Sequence, residues 1–198
     1  MSQIALPLQP RDGRASRIVV GNANSGVVEA FAAAADWPYR TAILHGPPRS
    51  GKSLLARWFA ESGAGDAIDD ADMLGDDEVF HRWNRAQENS RPLLLVCSAS
   101  DGRWNVKLPD LSSRLGAAMR LEIGAPDEAM LADLIAVHAE TRGLVLDGSA
   151  TDYLVPRCER SHLGVETLVA AIDRLSLERK HAPTLAIWRE ALAQTRGT

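Results

Sequence analysis

Apolar positions along this chain recur at two spacings. Thr41-Ala42-Ile43-Leu44-His45 is a short apolar run of strand length, and Leu54, Leu55, Trp58 and Phe59 then return at helical spacing to about Glu61. Upstream, Val27, Val28, Phe31, Ala32 and Ala35 predict an amphipathic helix that closes near Asp36-Trp37-Pro38. Ala67-Ile68 is a truncated strand ending in two carboxylates, and Val79, Phe80, Trp83 and Ala86 predict a helix after it. Pro92-Leu93-Leu94-Leu95-Val96-Cys97 is continuously apolar, as a strand buried on both faces of a parallel sheet requires. Met119-Arg120-Leu121-Glu122-Ile123 alternates and predicts the last strand. Strands separated by helices imply an α/β sheet with crossover connections.

Beyond Gly124-Ala125 the periodicity is helical only. Pro126 with Asp127 and Glu128 opens a helix carrying Met130, Leu131, Leu134 and Ile135 on one face. Ser149-x-x-Asp152 has capping-box spacing before Tyr153, Leu154 and Val155, and Pro156 ends or kinks that helix. Val165, Leu168, Val169, Ile172 and Leu175 form a long stripe, and Leu185, Trp188 and Leu192 mark a last helix. Residues 1–17 show turn and charge signals without periodicity. The expected organisation is a tail over 1–17, an α/β domain over 18–124 (a parallel sheet with flanking helices) and a small all-helical lid domain over 125–198.

One stretch carries chemistry. Gly46-Pro47-Pro48-Arg49-Ser50-Gly51-Lys52-Ser53 fits the phosphate-loop pattern G-x-x-x-x-G-K-[ST] at every fixed position, between a predicted strand and a predicted helix. Such a loop turns backbone N–H groups onto a phosphate chain, at the positive end of the following helix. Lys52 is expected to reach the outer phosphates and Ser53 to ligate Mg²⁺. Asp69 and Asp70 are the candidates for the second nucleotide motif, with Asp69 holding Mg²⁺ through water and Asp70 polarising the attacking water. Against this stands the acidity of residues 63–78, which hold Asp66, Asp69, Asp70, Asp72, Asp76, Asp77 and Glu78 and no Lys or Arg, the composition of a solvated loop. Arg114, just before the last strand, is by residue chemistry alone either a surface ion-pair partner or an arginine that completes a neighbour's nucleotide site.

Composition narrows the field. In 198 residues, 45% are hydrophobic, enough for a core, and the net charge of −4 with scattered basic residues supplies no footprint for direct DNA binding. Two cysteines, Cys97 and Cys158, make neither a disulfide framework nor a metal cluster. The first residues lack a secretory signal and no segment has the length of a membrane span, so a cytoplasmic location is expected.

With the phosphate loop, the α/β-then-helical layout is that of an AAA+ module. The chain resembles the Hda family, regulatory inactivators of the bacterial replication initiator DnaA, over essentially its whole length. Gln3-Ile4-Ala5-Leu6-Pro7-Leu8 looks like that family's clamp-binding hexapeptide, and Val20-Gly21-Asn22 is similar to its lead into the first helix. Leu108-Pro109-Asp110-Leu111-Ser112-Ser113-Arg114-Leu115 resembles the segment that bears its arginine finger. The resemblance implies a regulator that docks on the polymerase sliding clamp (beta subunit) through Gln3, Ile4, Leu6, Pro7 and Leu8. It also implies ADP or ATP bound at residues 46–53, with ADP favoured, and Arg114 promoting hydrolysis of the ATP held by DnaA; self-association is a further property of such modules. Two departures stand out. A further strand and helix that the family carries after the phosphate-loop helix are nearly absent, and Glu166 stands where related proteins place a sensor arginine, a carboxylate of the wrong sign for phosphates. The alternatives are an autonomous phosphate-loop ATPase and an interaction module whose loop is vestigial.

Overall fold

The computed structural model describes residues 17–195 in full and residues 5–7 by their backbone. Strand β1 (Ala5–Pro7) pairs antiparallel with β2 (Arg17–Val19), placing Leu6 opposite Ile18. Within the expected tail, the backbone of Ala5–Pro7 is half of a two-stranded ladder. Gln3, Ile4 and Leu8 lie outside the described residues.

The contacts divide the chain into two units, residues 24–124 and the rest. The first opens with α1 (Ser25–Ala32) and continues through β3 (Thr41–His45), α2 (Lys52–Glu61), β4 (Asp66–Ile68), α3 (Asp76–Glu88), β5 (Leu93–Val96), α4 (Pro109–Gly116) and β6 (Met119–Glu122). The four strands form one parallel sheet in the order β4-β5-β3-β6. Period-2 alternation sends Ile43, Ile68, Leu93 and Leu95 to the face covered by Val79, Trp83 and Ala86 of α3 and Leu111 and Leu115 of α4. An aromatic cluster of Phe31, Trp37, Trp58 and Phe59 joins α1 to α2, with Trp37 stacked on Phe59 at 5.5 Å. Only four residues separate α2 from β4, and β4 ends the sheet with no strand beyond it among the described residues.

The second unit holds β2 and the helices α5 (Glu128–Thr141), α6 (Gly148–Leu154), α7 (His162–Arg179) and α8 (Leu185–Thr195). Its core is Leu131, Ile135, Leu154, Val165, Leu168, Val169, Ile172, Leu175, Ile187 and Leu192. Ile18 is buried and Arg17 reaches Glu140 at 2.9 Å, tying β2 to α5. Asn22, expected to lead into the first helix, donates to Ala125 O and accepts from Asp127 N, clasping the start of the helical segment. Side-chain caps start the helices: Asp127 accepts from Met130 N, Asp147 from Ala150 N and Ser161 from Gly164 N. Such caps contribute roughly 1 kcal/mol each.

Two expectations about these caps are corrected. The cap of α6 is Asp147, which has extended backbone and accepts from Ala150 N at 2.9 Å, and Ser149 lies inside the helix donating to the Asp147 carboxylate. Pro126 precedes the Asp127 cap of α5 and so lies outside the helix it was expected to open. Helix α6 stops at Leu154, two residues before Pro156, whose missing N–H prevents continuation.

Candidate functional site

The carboxyl ends of all four parallel strands open on one side of the sheet. Residue 46 follows β3, Asp69 follows β4, Ser98 follows the end of β5 and Ile123 follows β6. In open parallel sheets this rim, where the strand order reverses about β3, is where ligands sit.

The loop leaving β3 has the backbone its sequence demands. Gly46 sits at φ 152°, and a Cβ there would lie 2.9 Å from both the Cβ and the carbonyl oxygen of Ile123, so no larger residue fits. Gly51 caps α2 at φ 87°, a left-handed conformation glycine reaches without strain. Arg49 adopts φ 62° with a Cβ present, a conformation costing roughly 1 kcal/mol or more, and such strain collects at functional sites. Ser50 is only 6% exposed, and its Oγ has no hydrogen-bond partner among the described residues. A buried unpartnered hydroxyl inside a loop of this shape is what an absent oxyanion would satisfy.

Lys52 opens α2 and folds back over the loop, donating to Gly46 O at 2.8 Å and Pro47 O at 3.2 Å. Burial lowers its pKa, and the charges of Asp70, Asp69 and Asp72 work in the opposite direction. Ser53 is exposed in the first turn of the same helix. Ser53 and Asp69 both carry oxygen donors of the kind Mg²⁺ takes; among the described residues no three or more His, Cys, Asp or Glu side chains gather where they could hold a metal ion.

Asp69 and Asp70 are exposed beyond β4. Asp70 lies at φ 47° and its N–H donates to the Asp69 carboxylate at 3.2 Å. The residue that organises this rim is one the sequence did not single out, Asp72. Its carboxylate accepts from Ser98 N (2.7 Å), Ser98 Oγ (2.7 Å) and Ala99 N (3.1 Å), fastening the acidic loop to the end of β5. Burial pushes the Asp72 carboxyl up, yet the bonds from Ser98 and Ala99 outweigh it and hold it below the ordinary carboxylate range. Beside it Cys97 is fully buried, and burial and the Asp72 carboxylate push its thiol up to about 11.

Arg114 lies in the last turn of α4. Its guanidinium rests on two rings of α3, 4.1 Å from the centre of Trp83 and 5.1 Å from that of Phe80. Trp83 is fixed in turn by donating Nε1–H to Thr41 Oγ1 at 3.0 Å. A second link joins the same helices: Asp76, in the first turn of α3, accepts from Lys107 N at 2.6 Å and Leu108 N at 2.8 Å, where α4 begins. Glu166 lies half-buried on α7 in the helical unit. The only signal for Asp72 and Asp76 in the sequence was the acidity of residues 63–78, which reads equally well as solvated loop.

No protein-family profile matches the chain. An uncharacterized protein of Haemophilus influenzae is 25% identical over 125 residues, 61% of this chain, and that match spans about half of its length (54%). Among solved structures, domain III of the Thermotoga maritima replication initiation protein DnaA superposes with a TM-score of 0.71 over 89% of this chain and 93% of that one, at 13% identity. AMPPCP-bound DnaA from Aquifex aeolicus gives 0.58 over 81% of this chain and 66% of that one, at 17% identity. The Thermotoga maritima RuvB Holliday junction branch migration motor gives 0.59 over 88% and 69%, at 15% identity. The chain therefore shares the fold of DnaA domain III, built here on a four-stranded parallel sheet with flanking helices. No helix among the described residues is long and apolar enough to cross a membrane.

Proposed function

We propose that this chain is a DnaA-related AAA+ regulator that binds nucleotide in its phosphate loop and acts, like the Hda proteins it resembles, on the ATP held by DnaA. The observation that carries the reading is the loop itself. It is strained at Arg49, closed to any side chain at Gly46, and holds the unpartnered Ser50 hydroxyl, within a fold shared with DnaA domain III. Residues 46–53 would hold the phosphates, with Lys52 exchanging the carbonyls of Gly46 and Pro47 for phosphate oxygens. Bound nucleotide would supply a charge-dense ligand that tightens the rim, and Ser53 and Asp69 would hold its Mg²⁺. Asp69, Asp70 and Asp72 crowd the site with negative charge, which favours ADP over ATP.

Arg114 is the group proposed to act in trans. An arginine finger stabilises charge developing on a transferring phosphoryl group, and its planar fork of donors must reach the oxygens with its plane already oriented. With its guanidinium carbon 4.1 Å from the centre of Trp83 and 5.1 Å from that of Phe80, the side chain is restricted in where it can sit. The tail segment Gln3-Ile4-Ala5-Leu6-Pro7-Leu8 is proposed to engage the sliding clamp. The decisive experiment measures hydrolysis of DnaA-bound ATP in the presence of clamp-loaded DNA. Wild type should accelerate it and Arg114→Ala should not, while Gln3→Ala should lose clamp binding. Equal rates for wild type and Arg114→Ala sink the finger assignment.

A further inference from the structure

Strand β4 ends the sheet, and no strand among the described residues pairs with its outer side. Helix α2 stops at Glu61 and β4 begins at Asp66, so the connection between them is too short to supply a strand alongside. The hydrogen bond from Asp66 N to Pro92 O fixes which way the backbone faces. In a parallel ladder successive residues address opposite sides, so the N–H and C=O of Ala67 point away from β5, into the open edge. Sheet edges of this kind are usually blunted, because they are templates for another strand.

This edge is flanked by cations. Between β4 and α3 runs a groove of about 610 Å³ whose rim holds Arg82, Arg85, Asn89 and Arg91. Arg82 pairs with Glu78 and Arg91 with Asp66, each pair with both side chains about half exposed, where an ion pair is worth little and exchanges readily. Arg85 forms no ion pair among the described residues. Ile68 turns into the core under α3, so side chains of a strand added beyond β4 would project on that same face, level with these arginines.

We infer that the β4 edge is a docking site for an extended acidic segment of a partner protein. The segment pairs its backbone with Ala67 and sets alternate carboxylates against Arg82, Arg85 and Arg91. Strand addition divides the work: backbone bonds hold the segment, and side chains on one face select it. With so short a strand the backbone supplies few bonds, so the arginines carry the selectivity and binding weakens with salt. The inference needs neither the nucleotide nor Arg114.

The test uses the full chain and a fluorescein-labelled peptide of alternating Glu and Val, with a Lys/Val peptide as control. Fluorescence anisotropy should show saturable binding of the first and none of the second. Arg85→Glu should weaken it about tenfold or more. Ala67→Pro should abolish it without unfolding the protein, because proline is tolerated where an edge-strand N–H faces outward. Hydrogen exchange at the Ala67 amide should slow on peptide addition, a readout that requires no substitution. Absence of binding, binding unchanged by Arg85→Glu, or an Ala67 amide that exchanges equally with and without peptide overturns the assignment. So does a concentration-dependent dimer that Ala67→Pro abolishes, which would give the edge to a second copy of the chain.

Discussion

The guanidinium carbon of Arg114 lies 4.1 Å from the centre of the Trp83 ring. The contact joins the helix carrying the proposed finger to the helix covering the sheet, and Trp83 is itself held to the first residue of β3 through Thr41. A cation over an indole contributes about 0.5–2 kcal/mol, rising with desolvation. A double-mutant cycle of Trp83→Leu with Arg114→Met, read by urea unfolding, should return a coupling in that range. A coupling no larger than the roughly 0.3 kcal/mol expected of independent sites would mean the ring does not hold the arginine.

Asp76 serves a helix other than its own. Replacing it with Ala leaves Lys107 N and Leu108 N without their acceptor at the start of α4. The expected loss is about 1–2 kcal/mol in chemical denaturation, with Asp76→Asn recovering part of it. Unchanged stability would show that water replaces the carboxylate at no cost.

Asp72 gives the unit an acid-sensitive joint. Its folded pKa lies below its unfolded value, so its stabilisation is complete above the ordinary carboxylate pKa of about 3.9 and disappears as pH falls through the lower folded value. Asp72→Asn should lower the melting temperature at pH 7, and the gap between variant and wild type should close as pH drops below about 4. A gap constant down to pH 3 would contradict the role of its charge.

The thiol of Cys97 should stay silent toward iodoacetamide at pH 8 in the folded protein and react once the chain unfolds. Burial has pushed its pKa up to about 11, and only the thiolate is nucleophilic. Rapid native-state labelling of Cys97, located by mass spectrometry, would count against this packing.

Nucleotide affinity should depend on Mg²⁺ and on Lys52. With Asp69, Asp70 and Asp72 around one lysine, a phosphate chain enters a site already rich in negative charge. Chelating the ion should weaken binding of a fluorescent ADP about tenfold or more, and Lys52→Ala should weaken it at least as much. Binding indifferent to both changes would favour a vestigial loop.

How much of this was legible beforehand follows from the range of each interaction. The strand, loop and helix from Thr41 to Glu61 lie where periodicity and glycine placement put them, and so do the buried strand before Cys97 and the helical run after Gly124. The helix start at Asp147 was misread by two residues because Ser149 and Asp147 both have capping chemistry, and only their position relative to Ala150 N separates them. The Ala5–Pro7 ladder was missed because so short a segment shows no alternation until its partner is known.

By itself, then, the amino-acid sequence determined the phosphate loop and the alternation of strands and helices, because those depend on φ/ψ preferences and contacts within a few residues. Only the tertiary structure decided that Arg114 lies on Trp83 and Phe80, that Asp72 joins the acidic loop to the end of β5, and that β4 is left as an edge. Each of these brings together residues about 25 or more apart in sequence or turns on strand order, and neither composition nor spacing encodes which distant backbone a carboxylate or a strand will meet.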